Sequence, residues 1–127
     1  MKEATAVKCR AILATTDRED KKVFMHSVYF YLKEGLSESE SEQFRRGLKS
    51  LTTIDSVRRS HIGVPAATDR PVIERGYSYS LILTFDDQQG HDFYQEHDVH
   101  ERFRQECAPC WSKVVIYDCI EASHLDD

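Results

Sequence analysis

Positive charge and long apolar runs are both scarce in this sequence. Lysine and arginine together number 17 against 22 aspartates and glutamates, which gives a formal net charge of −5. This balance argues against a nucleic acid or an anionic membrane as the main partner. The longest apolar runs are of strand length, and Lys2 and Glu3 open the chain without an apolar segment of signal-peptide length. We therefore expect a cytoplasmic protein that binds neither nucleic acid nor membrane.

Glycine and proline are also few, with five and three residues respectively. Pro65 and Pro71 lie in the one long segment without apolar periodicity, residues 65–76, which is predicted to be a loop. A chain of 127 residues supports one hydrophobic core and not two. We expect an N-terminal extension over residues 1–22, a single domain over residues 23–122 and an acidic tail over residues 123–127.

Four cysteines are present, at positions 9, 107, 110 and 119. Because no export signal precedes them, we expect the thiols to stay reduced. Cys107-Ala-Pro-Cys110 is similar to a redox motif, but such a motif needs a helix N-terminus to lower the pKa of its thiol. This pair instead precedes a strand, so redox catalysis is not expected.

A second interpretation of the same region is a zinc site formed by His97, His100, Cys107 and Cys110. The donor types suit tetrahedral zinc. The spacer between the histidine pair and the cysteine pair is shorter than the usual length of about twelve residues or more. Phe103 lies within this spacer and would have to leave the apolar stripe that it forms with Val99 and Cys107. We predict no metal and no cofactor, with zinc on these four residues as the alternative.

Alternation of apolar residues predicts four strands, over residues 23–33, 54–64, 77–85 and 111–120, with the second at an edge of the sheet. In the first strand, His26 is the one titratable side chain on the more apolar face. We predict a core histidine that hydrogen-bonds to the backbone, with contact to a ligand as the alternative.

Helix signals lie between these strands. Ser37-Glu-Ser-Glu40 has the spacing of a capping box and predicts a helix that packs through Phe44, Leu48 and Leu51. Gly47 costs this helix roughly 1 kcal/mol relative to alanine, which suggests that a strand or a ligand approaches there. Asp86 and Asp87 offer an N-cap for a later helix.

This later helix carries Tyr94, and His100 follows six residues on. An unbroken helix would turn by about 600° between them and place the two side chains on different faces, about 120° apart. We therefore predict a break before Asp98, whose spacing to Glu101 is that of a second capping box. The short helix beyond it packs through Val99, Phe103 and Cys107.

The predicted order β-α-β-β-α-β corresponds to an α+β, ferredoxin-like protomer with a four-stranded antiparallel sheet and helices on one face. The other face is then uncovered, and it is too apolar to remain in water. We predict that a second copy covers it in a homodimer. The residues expected on this face are Met25, Tyr29, Tyr31, Ile82, Val114 and Ile116.

Several segments together resemble the stress-responsive dimeric α/β-barrel (Dabb) family. They are His26-Ser-Val-Tyr-Phe-Tyr-Leu-Lys33, residues 54–63, Gly76-Tyr77, Tyr94-x5-His100 and the closing run Trp-Ser-Lys-Val-Val-Ile-Tyr-Asp from Trp111. The resemblance covers residues 23–120 and implies a protomer that pairs with a copy of itself into a dimeric α/β barrel. The family includes plant stress proteins, uncharacterised bacterial proteins and a polyketide cyclase that makes olivetolic acid.

The resemblance also implies site residues. Tyr94 and His100 match a catalytic Tyr-x5-His pair of that cyclase, and His26 matches its strand histidine. Tyr79 stands where the cyclase has a second pocket histidine, and Leu48 where it has a helix tyrosine. With His97, the residues His26, Leu48 and Tyr79 are the expected substrate-binding set.

Two functions follow from this. The first is a homodimeric stress-response A/B barrel protein with a small-molecule pocket between sheet and helices and no assigned reaction. The alternative is a lyase or polyketide-cyclase-like enzyme that uses Tyr94 and His100 to move a proton on a small carbonyl substrate. A cavity lined by His26, Tyr79, Tyr94 and His100 favours the enzyme, whereas filling by Phe30, Leu48, Phe93 and Phe103 favours a structural role.

Overall fold

The computed structural model describes residues 22–126, and the predicted extension lies almost wholly outside them. The described chain forms four strands, three α-helices and two short 3-10 helices. In order these are β1 (Phe24–Leu32), α1 (Glu38–Leu51), β2 (Val57–Gly63), β3 (Tyr79–Phe85), α2 (Gln88–Glu96), α3 (Asp98–Cys107), a 3-10 turn (Ala108–Cys110), β4 (Trp111–Ile120) and a second 3-10 turn (Ser123–Asp126). Over residues 22–126, no helix is both long and apolar enough to cross a bilayer.

The four strands form one antiparallel sheet in the order β2-β3-β1-β4, with the helices on one face. This confirms the predicted ferredoxin-like α+β fold. β2 lies at an edge, as predicted, but it begins at Val57 rather than Ile54. Ile54 instead packs into the core from the turn that follows α1, where the amide of Val57 donates to its carbonyl oxygen.

Two of the predicted helix caps are confirmed. Ser37 accepts a hydrogen bond from the amide of Glu40, and the Glu40 carboxylate accepts one from the amide of Ser37, which completes the capping box of α1. Asp87 caps α2 through its carboxylate, which accepts from the amide of Gly90.

The predicted break between Tyr94 and His100 is present, but the prediction that Asp98 caps the following helix is wrong. His97 adopts an extended backbone conformation between α2 and α3, and its ring Nδ1 accepts a hydrogen bond of 3.0 Å from the amide of Val99. Imidazole nitrogen thus takes the role expected of a carboxylate, and Asp98 becomes the first residue of α3.

Gly47 explains how α1 and α3 pack. A Cβ atom at this position would lie 2.6 Å from the Cys107 sulfur and 2.9 Å from the Phe103 ring. The close neighbour is therefore a helix, and the predicted approach of a strand or a ligand is wrong. Glycine lets the two helices approach closely enough to bury Phe44 and Leu48 of α1, and Phe103 and Cys107 of α3, against the sheet.

The open face of the sheet differs in part from the prediction. Met25, Tyr29 and Tyr31 lie on it, but Val114 and Ile116 do not. Residues directly opposite on neighbouring strands point to the same face, and Ile116 pairs with Val28 while Val114 pairs with Phe30. Both therefore face the helices. Their neighbours along β4, Val115 and Tyr117, occupy the open face instead.

Candidate functional site

A cavity of about 210 Å³ lies between the sheet and the helices α2 and α3. Its walls are mostly apolar, and its polar groups come from the two helices and the central strand β1. The lining residues are His26, Val28, Phe30, Leu51, Leu81, Tyr94, Gln95, His100, Phe103, Arg104, Trp111, Val114 and Ile116.

His26 forms the sheet side of this cavity. The alternation of β1 turns its ring toward the helices, where the residue is 3% exposed. Asp118 stands directly opposite on β4, and its carboxylate lies 2.5 Å from His26 Nδ1. The predicted backbone partner is therefore wrong, and the partner is a carboxylate. Burial lowers the pKa of His26 more than Asp118 raises it, so the ring is neutral near pH 7.

Tyr94 lies near the C-terminal end of α2 and is 1% exposed. Its ring centroid lies 5.6 Å from that of His26 and 4.9 Å from that of His100. Burial, and then the negative charge of Asp118, raise the pKa of Tyr94 well above its usual value of 10. The side chain therefore stays a phenol, which can donate a hydrogen bond but does not ionise near neutrality.

His100 lies in the first turn of α3, which the break at His97 directs back toward Tyr94. Burial, followed by repulsion from His26 in its protonated form and from Arg104, lowers the pKa of His100 to about 4. Its Nδ1 atom is buried, and it has no hydrogen-bond partner among residues 22–126. The site thus presents a neutral imidazole with an unpaired nitrogen.

Two neighbours of this site were not predicted from the sequence, His91 and Asp118. The His91 ring stacks on Phe24 at 4.3 Å, lies 4.9 Å from the His26 ring, and brings its Nε2 to 4.0 Å from an Asp118 oxygen. His91 lies three residues before Tyr94 on the same helix, a spacing that places both on one face. The spacing to Tyr94 could have identified His91 from the sequence. Placing Asp118 in the site required the register between β1 and β4.

Three predicted substrate-binding residues lie elsewhere. Leu48 is a core residue with 1% exposure. Tyr79 packs on Phe44 and, with Leu48, lines a separate groove along α1. His97 is occupied by its capping bond and packs on Phe93. The structure therefore brings His26, Tyr94 and His100 together in one cavity and places the other three outside it.

The cysteine and histidine residues of the alternative zinc site are not gathered together. Over residues 22–126, one group of three potential ligands lies close enough to share a metal ion, and it consists of His26, His91 and Asp118. Cys107 and Cys110 are unpaired thiols, and burial raises the pKa of Cys107 to about 11 and also raises that of Cys110. These thiols are poor nucleophiles near neutral pH.

The comparisons with known proteins agree with this architecture. The stress responsive A/B barrel domain family matches residues 24–121. A Dabb family protein of ferredoxin-like fold from Mesorhizobium loti is 24% identical, covers 79% of this chain and 97% of its own, and gives a TM-score of 0.64. A hydroxynitrile lyase from Passiflora edulis is 19% identical, with 80% and 94% covered and a TM-score of 0.65.

A dimeric ferredoxin-like protein of unknown function from Thermobifida fusca is likewise 19% identical, with 79% of this chain and 92% of its own covered and a TM-score of 0.63. No curated protein matches the chain in sequence. At these identities the solved structures establish the fold.

The lowered pKa of His100 predicts a specific acid sensitivity. Between pH 6.5 and about 4 the unfolded chain protonates this imidazole while the folded chain does not. The free energy of unfolding should therefore decrease as the pH falls through this window, and the contribution should be fully lost below about pH 4. Urea unfolding at successive pH values measures it, and His100→Gln should make the decrease shallower.

The matched control is His124→Gln, which removes an exposed histidine from the C-terminal turn. It should leave the pH dependence of unfolding as in the wild type. Equal pH dependence in His100→Gln and wild type would contradict a buried, neutral His100.

Proposed function

This chain belongs to the stress responsive A/B barrel domain family, and we propose from that premise that it is a homodimer whose protomers each bind a small molecule. Two copies meet through the open faces of their sheets. The ligand occupies the cavity between the sheet and the helices α2 and α3.

The open face supports the dimer because it carries aromatic and apolar side chains in contact with one another. The Tyr29 ring lies 5.0 Å from Tyr77 and 6.2 Å from Tyr117, while Lys113 places its ammonium 4.6 Å above the Tyr31 ring. Met25 is 41% exposed and Tyr117 65% exposed in the single chain. Solved neighbours of this fold are described as dimeric. A second sheet would remove this surface from water.

The unpaired Nδ1 of His100 is the observation that carries the ligand proposal. A buried polar atom without a partner costs about 1–3 kcal/mol, and buried polar groups in native proteins are nearly always satisfied. A neutral imidazole offers either a lone pair or an N–H group at this atom, depending on its tautomer. A ligand hydroxyl can pair with either form once the ring turns its Nδ1 edge into the cavity that His100 lines, so binding would recover this cost.

Cavity size and lining define the ligand class. A volume of about 210 Å³ corresponds to roughly seven water molecules, which suits a compact compound rather than a nucleotide. The wall of Val28, Leu81 and Ile116 receives an apolar or aromatic body. Tyr94 can donate a hydrogen bond to a carbonyl oxygen, while His100 takes a hydroxyl. We infer a small carbonyl compound with an apolar ring or chain.

Proton transfer by Tyr94 and His100 is the second candidate function. Tyr94, held as a phenol, would polarise a carbonyl oxygen, and His100 would remove a proton from the adjacent carbon, with His26 helping to hold the substrate. The hydroxynitrile lyase from Passiflora edulis has a similar fold, which supports the possibility of lyase chemistry on this fold. The pKa of about 4 makes His100 a weaker base than free imidazole, so binding without turnover remains the first candidate.

The dimer prediction is tested by Tyr117→Glu. If the sheets pair, this change places an unpaired carboxylate in an apolar interface once per protomer, and two-fold symmetry doubles the cost. The wild type should be a dimer at micromolar concentration by light scattering coupled to size exclusion, and Tyr117→Glu should be a folded monomer. Phe93→Glu is the control, because Phe93 is an exposed aromatic residue on the helical side. A monomeric wild type would contradict the proposed dimeric barrel.

The ligand prediction is tested with acetophenone and its ring-hydroxylated forms as probes. Saturation-transfer NMR should show binding to the wild type, and hydroxylated probes should bind more tightly because they can reach His100. Tyr94→Phe and His100→Gln should each weaken binding by roughly tenfold, the equivalent of about 1.4 kcal/mol from one lost hydrogen bond.

Tyr79→Phe is the matched control, since it removes a hydroxyl that lies outside the cavity. Equal losses in Tyr79→Phe and Tyr94→Phe, or no binding by any probe, would contradict the pocket. Solvent deuterium appearing in the acetophenone methyl group distinguishes the candidates: exchange that His100→Gln abolishes supports the enzyme, and binding without exchange supports the binding protein.

A further inference from the structure

Three potential metal ligands converge beside the cavity from three separate elements. His26 comes from β1, His91 from the first turn of α2 and Asp118 from β4. One donor atom from each lies within 4.8 Å of the other two. His26 Nδ1 is 2.5 Å from one Asp118 oxygen, and His91 Nε2 is 4.0 Å from the other.

Asp92 orients the ring of His91. Its carboxylate lies 3.3 Å from His91 Nδ1, which favours the tautomer with the proton on Nδ1. The unprotonated Nε2 lies 4.0 Å from an Asp118 oxygen and accepts a hydrogen bond of 3.3 Å from the side-chain amide nitrogen of Gln95, which the ion would replace. A carboxylate behind a histidine whose other nitrogen faces a metal is the usual outer arrangement of metal-binding histidines.

The state of His26 also permits coordination. A neutral imidazole carries one proton, which can sit on either nitrogen. Moving that proton from Nδ1 to Nε2 frees the Nδ1 lone pair without net loss of a proton. The ion then replaces the hydrogen bond between His26 and Asp118, and the carboxylate compensates part of the cation's charge.

The donor spacing suits a first-row transition metal. Bonds of about 2.0–2.1 Å to tetrahedral zinc set neighbouring donors roughly 3.3 Å apart. One donor atom from each of the three residues lies within 4.8 Å of the other two, so small side-chain shifts bring them to that spacing. Asp118 is 39% exposed and His91 12% exposed, so the carboxylate can rotate and an ion can enter from solvent. Two imidazoles and one carboxylate leave a position open, as in catalytic zinc sites.

We propose that His26, His91 and Asp118 bind one divalent first-row transition-metal ion per chain, with Zn²⁺ as the test ion. The site is separate from the Cys107 and Cys110 set that the sequence suggested. It does not rest on the proposed function, because the ion needs no organic ligand.

The test uses tag-free, full-length protein stripped with a chelator and then dialysed. Zn²⁺ is titrated in competition with a chromophoric chelator, and Co²⁺ is added separately to report coordination by its visible spectrum. We expect one Zn²⁺ per chain with a dissociation constant on the order of 1 μM or below, and the intense Co²⁺ bands of a low-coordinate site.

His91→Phe is the principal variant, because it keeps an aromatic ring on Phe24 and removes both nitrogens. It should weaken Zn²⁺ binding by about 100-fold or more, and Asp92→Ala by about tenfold through loss of the outer carboxylate. His124→Ala, at an exposed histidine, should bind as the wild type does. Circular dichroism checks that each variant is folded.

Several outcomes would overturn the proposal. They are absence of stoichiometric Zn²⁺ binding, equal affinity in folded His91→Phe, and loss of binding in Cys107→Ala/Cys110→Ala with retention in His91→Phe. Zn²⁺ binding without acetophenone binding would support the metal site and contradict the small-molecule pocket. The two proposals can therefore fail separately.

Discussion

The contact between His26 and Asp118 is the interaction on which the site depends. It joins the central strand to the edge strand β4 on the face that packs against the helices, where the two residues are direct partners in the register. It fixes the His26 ring at the cavity wall. The same carboxylate raises the pKa of Tyr94 and lies 4.0 Å from His91. The Asp118 carboxylate on β4 therefore acts on three rings, that of His26 on β1 and those of His91 and Tyr94 on α2.

Convergence of the remaining groups follows from the interruption of the helix at His97. Without it, Tyr94 and His100 would lie on different faces of one helix, about 120° apart. With it, their rings meet at 4.9 Å in an edge-to-face contact, and burial decides their protonation. Tyr94 is kept as a phenol and His100 as a neutral imidazole. The result is a cavity lined by a phenol and a neutral imidazole, which are the groups that both the binding and the enzymatic candidates require.

Local signals predicted the fold well, while contacts between distant segments were predicted poorly. The capping box at Ser37 and the alternation of β1 depend on neighbours in sequence, so they could be identified directly. The face on which Val114 and Ile116 lie depends on register, and a shift of one residue reverses it. Asp118 was missed for the same reason, since its partner is 92 residues away. His97 was missed as a cap because carboxylates and hydroxyls are the usual capping groups.

The proposed ligand site depends on an unpaired imidazole nitrogen in a small cavity, and a crystal structure of the homodimer at neutral pH and atomic resolution would test it most directly. The account predicts density for a water or small molecule about 3 Å from His100 Nδ1, within the space bounded by His26 and Tyr94. It would be contradicted by a rotated His100 ring whose Nδ1 pairs with a protein group, in a space closed by side chains.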